Sequence, residues 1–358
     1  MRFMIEDILK KVDAILIYNQ GEPMVDLNFF YFSRLLESGL FEGSYILIDN
    51  DKRVIITSEL EETSAKKSDF QIEIFRKNQE KYELLSKYLG GKKKIGISFS
   101  SISLKEFNNL RDKFNELEFV DIENELSGLR QIKNDFEISL IKEAGKIASD
   151  VAEEIINYIK EGITENELAA KLTYLIMKNG AQDNAFTPII AFGENSAEPH
   201  YFPGKRKLRK NDFVLLDFGA KFKKYNSDIT RTYIFGKASE KQKRIYEIVR
   251  EAQELGIESI MEGKTGKEVD TVVRNFIDST EFKGLFIHST GHGVGLAVHD
   301  HPALSQSSEL LLKEGMVVTV EPGIYVKGFG GVRIEDDVLV KKNGRELLTS
   351  APKEMIEI

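Results

Sequence analysis

Asp217 interrupts the apolar run that starts Phe213-Val214-Leu215-Leu216, and Glu321 ends the run Val317-Val318-Thr319-Val320. A carboxylate set in an apolar strand faces a severe desolvation cost unless a cation or hydrogen-bond donors offset it. Each of these acids is followed by a second one. Asp228 stands in Asn226-Ser227-Asp228-Ile229-Thr230-Arg231-Thr232-Tyr233, and Glu335 in Val332-Arg333-Ile334-Glu335-Asp336; both segments read as returning strands. Four acids on two strand pairs can converge only around positive charge, and two divalent ions would balance them. His292, in Thr290-Gly291-His292-Gly293-Val294-Gly295-Leu296, offers the nitrogen. Its glycine neighbours let the backbone pack beside a crowded site and leave the imidazole free to bind. The chain has no cysteine, which excludes a thiolate zinc site, a disulfide framework and a cysteine nucleophile. Oxygen-rich ligation with one imidazole suits Mn, Fe, Co or Zn better than copper or an iron–sulfur cluster.

Taken singly, each piece has a plainer reading. A lone Asp in a strand more often caps a turn or pairs with Arg, and a lone His between glycines is more often a packing or turn residue. Gly291-His292-Gly293-Val294-Gly295 lacks the strand–loop–Lys context of a phosphate loop. The basic stretch Lys205-Arg206-Lys207-Leu208-Arg209-Lys210 has no aromatic interleaving and reads as a solvated loop, not a nucleic-acid surface. The force of the metal reading lies in the conjunction and its spacing.

The elements that must carry these residues follow from periodicity. The N-terminal part alternates strands (Ala14–Tyr18, Ser44–Ile48, Arg53–Thr57, Lys94–Ile97) with helical spacing around Leu84–Tyr88 and Leu104–Phe114, and it contains no histidine. A long helix follows, with Ile138, Ile141, Ile147, Val151 and Ile155 recurring to about Lys160. The texture changes near residue 125, which sets the expected domains at 1–124 and 125–358. The second part carries a repeat about 100 residues long. Glu161-Gly162-Ile163-Thr164-Glu165-Asn166-Glu167 matches Glu262-Gly263-Lys264-Thr265-Gly266-Lys267-Glu268, and each Thr-x-x-Glu reads as a capping box. His200 then pairs with His299, Asp217 with Glu321, and Asp228 with Glu335. This predicts two related halves facing each other across a pseudo-two-fold axis, with their strand pairs meeting at the centre.

Composition is that of a globular chain of 358 residues, 41% hydrophobic and 30% charged, with a formal net charge of −8. With that charge, non-specific nucleic-acid binding is not the default expectation. Met1-Arg2-Phe3-Met4-Ile5-Glu6-Asp7 puts acids where a signal peptide needs apolar residues. No uncharged run approaches the roughly 18 residues of a membrane span. The expected setting is therefore the cytoplasm, without a membrane or nucleic-acid partner.

In order and in motif, the five residues resemble the pita-bread (M24) metallopeptidase family, which includes methionine aminopeptidases, Xaa-Pro aminopeptidases and Xaa-Pro dipeptidases (prolidases). Gly193-Glu194-Asn195-Ser196-Ala197-Glu198-Pro199-His200, Thr290-Gly291-His292-Gly293, Val298-His299-Asp300 and Glu321-Pro322-Gly323-Ile324-Tyr325 carry the resemblance across about residues 125–358. Asp26-Leu27-Asn28-Phe29-Phe30-Tyr31 is similar to the creatinase/prolidase N-terminal domain. The implied fold is α/β (α+β): a small creatinase/prolidase-like α/β domain, then a pseudo-two-fold pita-bread catalytic domain. The resemblance implies two divalent ions per chain, Mn or Co, with Zn or Fe as further options. Asp217 would bind one ion, His292 and Glu321 the other, and Asp228 and Glu335 would bridge them. It further implies that Glu321 shuttles a proton, that His200 and His299 act on substrate or intermediate, and that His288, Tyr325 and Arg333 support this shell. The extra N-terminal domain points to the proline-specific branch, with short proline-containing peptides as substrates and a homodimer as the assembly. Ala303 stands where prolidases often carry an Arg that grips the substrate carboxylate. The implied activity is thus Xaa-Pro dipeptidase, with Xaa-Pro aminopeptidase as the alternative. A catalytically dead peptide-binding relative, or a metal-free amidinohydrolase, would be expected to have lost ligands that this chain keeps.

Overall fold

The computed structural model describes residues 4–358. Residues 1–3, where the N-terminal stretch read above begins, lie outside the described residues. The chain divides into two compact units after Arg130.

In the first unit, strands β1 (Ala14–Asn19), β2 (Ser44–Ile48), β3 (Arg53–Ser58), β4 (Gln71–Phe75), β5 (Lys94–Ile97) and β6 (Glu118–Asp121) form one sheet in the order β4-β3-β2-β1-β5-β6. The central β1–β2 and β2–β3 pairs are antiparallel, and the pairs β3–β4, β1–β5 and β5–β6 are parallel. Helices α1 (Ile5–Leu9), α2 (Leu27–Ser33), α3 (Glu62–Ala65), α4 (Glu80–Leu89), α5 (Leu104–Lys113) and α6 (Glu123–Gln131) complete it. Leu85, Leu89 and Leu110 pack on Leu47, Ile56 and Ile95 of the sheet. Asp26 caps α2 by accepting the Asn28 N–H. The sequence reading misses β4 and β6, the two edge strands, because they are short and only partly buried, so their apolar pattern is weak. The division expected at 124/125 falls inside α6. Contacts explain why α6 goes with the first unit: Tyr31 Oη donates to the Leu129 carbonyl, Lys11 pairs with Glu125, and Arg130 donates to Asn28 Oδ1.

The second unit opens with α7 (Asp135–Glu154), started by a capping box between Asn134 and Glu137. The helix stops earlier than the apolar periodicity suggests, because it tightens into a 3₁₀ turn over Ile155–Tyr158 that still buries Ile155. Helices α8 (Glu165–Lys178), α9 (Glu240–Ser259) and α10 (Gly266–Asp278) follow. The strands are β7 (Asp183–Asn184), β8 (Ile189–Phe192), β9 (Asp212–Phe218), β10 (Ala220–Phe222), β11 (Tyr225–Asn226) and β12 (Ile229–Phe235) in the first half. The second half has β13 (Gly291–Gly293), β14 (Asp300–Leu304), β15 (Val317–Val320), β16 (Gly323–Val326), β17 (Gly330–Arg333), β18 (Asp336–Lys341) and β19 (Gly344–Leu347). They form sheets ordered β8-β9-β12 and β14-β13-β15-β18-β19, a hairpin β16-β17, and a small sheet β11-β10-β7. No helix among the described residues is long and apolar enough to cross a membrane.

The repeat is visible bond by bond. Thr164 and Glu167 form a capping box on α8, and Thr265 and Glu268 form its counterpart on α10. Gly162 and Gly263 hold φ values of +84° and +89°, a left-handed turn that glycine adopts without strain. Gly162 N–H donates to the Leu208 carbonyl at 3.0 Å, and Gly263 N–H to the Leu312 carbonyl at 2.9 Å. In the first half β9 lies between β8 and β12; in the second, β15 lies between β13 and β18. The halves join where Thr230 of β12 bridges Glu335. One reading needs correction: Val332–Asp336 is not a single strand. β17 ends at Arg333 and β18 begins at Asp336, because the inserted β16–β17 hairpin must hand the chain back to β15's neighbour. Glu335 therefore sits in the break.

The two capping boxes give a first prediction. Thr164→Ala and Thr265→Ala should each destabilise the second unit by about 1 kcal/mol. They sit on different helices, so the double variant should lose about the sum. Urea denaturation monitored in the wild type and the three variants checks this, and a double variant no worse than one single variant would refute independent caps.

Candidate metal centre

Asp217 lies within β9, opposite Thr230 of β12. Asp228 directly precedes β12, Glu321 directly follows β15, and Glu335 occupies the break before β18. His292 is the central residue of β13, and its flanking glycines are required by close approach. A Cβ on Gly291 would lie 2.0 Å from the Thr319 carbonyl oxygen, and one on Gly293 would lie 2.3 Å from that of His301. Backbone bonds fix the two second-half residues further: His292 N–H donates to Thr319 Oγ1 at 3.0 Å, and Glu321 N–H to the Thr290 carbonyl at 2.8 Å.

The structure brings all five together on one cavity of about 390 Å³. His292 Nε2 is 3.5 Å from Glu321 Oε1 and 3.7 Å from Asp228 Oδ2. Ligand atoms of Asp228, His292 and Glu335 lie within 4.8 Å of one another. Burial raises the Asp228 and Glu335 carboxyls, and the acids around each push them further. Glu321 is pushed up to about 8 by burial and by Asp217, against the pull of Arg333. Burial, aided by His299, lowers His292 to about 4, so its imidazole is neutral near pH 7. With the proton on Nδ1, which faces the Gly293 carbonyl at 3.1 Å, Nε2 offers its lone pair to the acids. Asp217 Oδ1 and Asp228 Oδ1 are buried with no hydrogen-bond partner. Buried oxygens of this kind, crowded carboxyls and one neutral imidazole fit a divalent cation.

Arg333 ties the acids to the rest of the cleft. Its Nη2 donates to Asp217 Oδ2, its Nη1 to Tyr325 Oη at 2.8 Å, and its Nε to Thr230 Oγ1 at 3.1 Å. Tyr325 Oη in turn meets His288 Nε2 at 2.8 Å, while His288 Nδ1 faces the Ser289 carbonyl at 2.8 Å. His288, lowered to about 4 chiefly by burial, is neutral and accepts the tyrosine proton. His200 and His299 are exposed at the cavity wall, one from each half, and the His299 ring centroid is 4.3 Å from that of His292. Phe186, Ile189, Pro199 and Ala303 add apolar lining to the same cavity. Arg206 of the basic stretch is engaged by Asp212 at 2.6 Å.

Three buried residues of this region escape sequence reasoning. Thr230 donates to Glu335 Oε2 at 2.6 Å, and Asp337 accepts the Asp228 N–H at 2.9 Å. Asp270 takes Thr290 N–H and Oγ1 while pairing with Arg274, which also donates to the His288 carbonyl. The signal for the first two was present, since each stands two residues after an acid of the repeat. The Asp270–Arg274 pair has the spacing of an ordinary surface helix pair, so nothing local marks it.

Residues 139–342 match the model of metallopeptidase family M24, and residues 9–132 match that of the creatinase/prolidase N-terminal domain. The Xaa-Pro dipeptidase of Pyrococcus furiosus is 42% identical over 331 residues, 92% of this chain and 93% of that protein. The solved prolidase from Pyrococcus horikoshii OT3 superposes with a TM-score of 0.90 at 41% identity, covering 98% of each chain. The X-Pro aminopeptidase from Thermotoga maritima superposes with a TM-score of 0.92 at 36% identity, covering 97% of this chain and 98% of that one.

The charge crowding predicts a pH-dependent response to metal. A carboxyl whose folded pKa is raised binds more protons folded than unfolded. Its favourable contribution is present at low pH and is lost as pH rises from the unfolded value, 4.5 for Glu321, to the folded one, about 8. The metal-stripped chain should therefore melt at progressively lower temperature between about pH 5 and 8. Adding Mn²⁺ should reverse the loss and release protons, because it binds the deprotonated acids. Calorimetric melts with and without Mn²⁺ check this, and identical pH profiles would contradict it.

Proposed function

The chain belongs to metallopeptidase family M24, and on that premise we propose that it is an Xaa-Pro dipeptidase working with two divalent ions, Mn or Co. The observation that carries this reading is the convergence of Asp217, Asp228, His292, Glu321 and Glu335 on one cavity, with two carboxylate oxygens buried and unpartnered. The activity named for the Pyrococcus relatives supports the choice of substrate, short proline-containing peptides. With it we propose a homodimer, from the family resemblance, and a cytoplasmic setting, from the expectation the sequence raises.

In this reading Asp217, Asp228, His292, Glu321 and Glu335 would hold the two ions. Bound there, the ions would supply a water of lowered pKa and polarise the scissile carbonyl. The chain's own groups do the remaining work. Glu321, on the cavity wall 3.5 Å from His292 Nε2, is placed to take the proton of the attacking water and return it to the leaving nitrogen. His200 and His299 stand at the wall where they can donate to charge developing on the carbonyl oxygen. Arg333, braced by Tyr325 and His288, fixes one oxygen of Asp217 and leaves the other for metal. The apolar lining supplied by Phe186, Ile189, Pro199 and Ala303 suits a pyrrolidine ring.

One observation favours a second reading, an Xaa-Pro aminopeptidase acting on longer peptides. Ala303 offers only a methyl group to the cavity, and Arg333, the guanidinium that lines it, is already engaged by Asp217, Tyr325 and Thr230. A dipeptide's free carboxylate would then find less to bind than a continuing chain needs.

Steady-state assays of the Mn²⁺-loaded protein with Ala-Pro and with a longer Xaa-Pro-Yaa peptide test both. Turnover of Ala-Pro, abolished by chelation, is expected. Cleavage of the longer peptide alone would decide for the aminopeptidase, and turnover of neither would sink the proline-specific reading. Glu321→Gln should fold and lose at least about 100-fold in kcat; wild-type kcat in this variant would remove its proposed role.

A further inference from the structure

Thr230 is outside the proposed ligand set and fully buried. It nevertheless occupies the place where the two halves touch. Its side of β12 faces Asp217 on β9, and its backbone bridges Glu335, whose N–H donates to the Thr230 carbonyl at 3.1 Å. Arg333 Nε donates to Thr230 Oγ1, so the hydroxyl's own proton is directed to Glu335 Oε2, 2.6 Å away. One guanidinium thereby orients an acid from each half: Asp217 directly, and Glu335 through the threonine.

The repeat supplies an independent counterpart. Thr230 is two residues beyond Asp228, and Asp337 is two residues beyond Glu335. Asp337 is fully buried and accepts the Asp228 backbone N–H at 2.9 Å. Each half thus reaches across to hold the acid of the other, with a hydroxyl in one direction and a carboxylate in the other. Asp337 is itself fixed from behind, its N–H donating to Thr349 Oγ1 at 3.1 Å.

We infer that Thr230 and Asp337 form a reciprocal clasp in which the Thr230 hydroxyl is a positioning group, setting the Glu335 carboxylate for metal. The inference rests on the reading of Glu335 as a ligand. A hydroxyl that merely satisfied Arg333 would affect stability alike with and without metal. A positioning hydroxyl affects metal affinity beyond stability, by the 10–100-fold typical of groups that orient ligands.

The test compares wild type, Thr230→Val, Thr230→Ser and Glu335→Gln by calorimetric Mn²⁺ titration, metal-free melting and Ala-Pro kinetics. T230V should bind Mn²⁺ about 10–100-fold more weakly and lose kcat with KM little changed. T230S, which keeps the hydroxyl, should restore both. Wild-type Mn²⁺ affinity in T230V would overturn the clasp while leaving the metal reading intact, as would a T230S variant as impaired as T230V. Glu335→Gln binding Mn²⁺ as tightly as wild type would remove the ligand assignment itself, and the clasp with it. If T230V fails to fold, Thr230→Ala gives the same contrast, because it removes the hydroxyl without setting an apolar group against Arg333.

Discussion

Carboxylates taken out of water and set beside one another repel, and they must meet positive charge or directed donors to stay there. Asp217, Asp228, Glu321 and Glu335 do this around a single cavity, and the rest of the second unit is arranged to permit it. Arg333, itself buried, gives Asp217 a charged partner and is linked to Glu335 by hydrogen bonds through Thr230. A second buried pair, Arg231 with Asp336 at 2.8 Å, keeps an adjacent charge off the cleft. Arg231 also donates to the carbonyls of Thr230, Glu335 and Ala351, so the same guanidinium pins the join between the halves to the C-terminal segment. Such pairs contribute little net stability when intact, but removing one partner strands a buried charge.

The pseudo-two-fold arrangement explains how one chain can assemble such a cluster. Each half brings a capped helix, a strand with one acid in it or directly after it, and a returning strand directly preceded by another. Placing the two copies face to face puts the acids at the centre, where neither half alone would tolerate them. The halves are not identical in use. The second supplies the imidazole, His292, while the first supplies a loop through His200, held by Glu165, which accepts from Phe192 N–H, Asn195, Tyr201 and Gly204 N–H. The second half also inserts the β16–β17 hairpin, and with it Tyr325 and Arg333. Symmetry sets the frame, and the departures from it carry the chemistry.

Much of this was legible in the chain itself. The five candidate ligands and the repeat, with His200 and His299 at matching places in it, were marked by pattern: acids in apolar strands, a histidine between glycines, paired Thr-x-x-Glu boxes. Edge strands β4 and β6 were not, because a half-exposed strand lacks the apolar run that announces a buried one. The end of α7 was misplaced because apolar periodicity continues through the 3₁₀ turn after it. The change of texture near residue 125 falls inside α6, which is placed by what it touches, and contacts leave no trace in local composition.

The sequence by itself determined which residues would be costly to bury, and so which must share a compensating partner. Only the tertiary structure decided how that cost is distributed. Whether Arg333 serves Asp217, whether Thr230 passes its influence to Glu335, and whether Asp337 faces Asp228 are all contacts across more than 100 residues of chain. Hydrogen bonds of this kind depend on distance and direction in space, which strand pairing fixes and residue order does not.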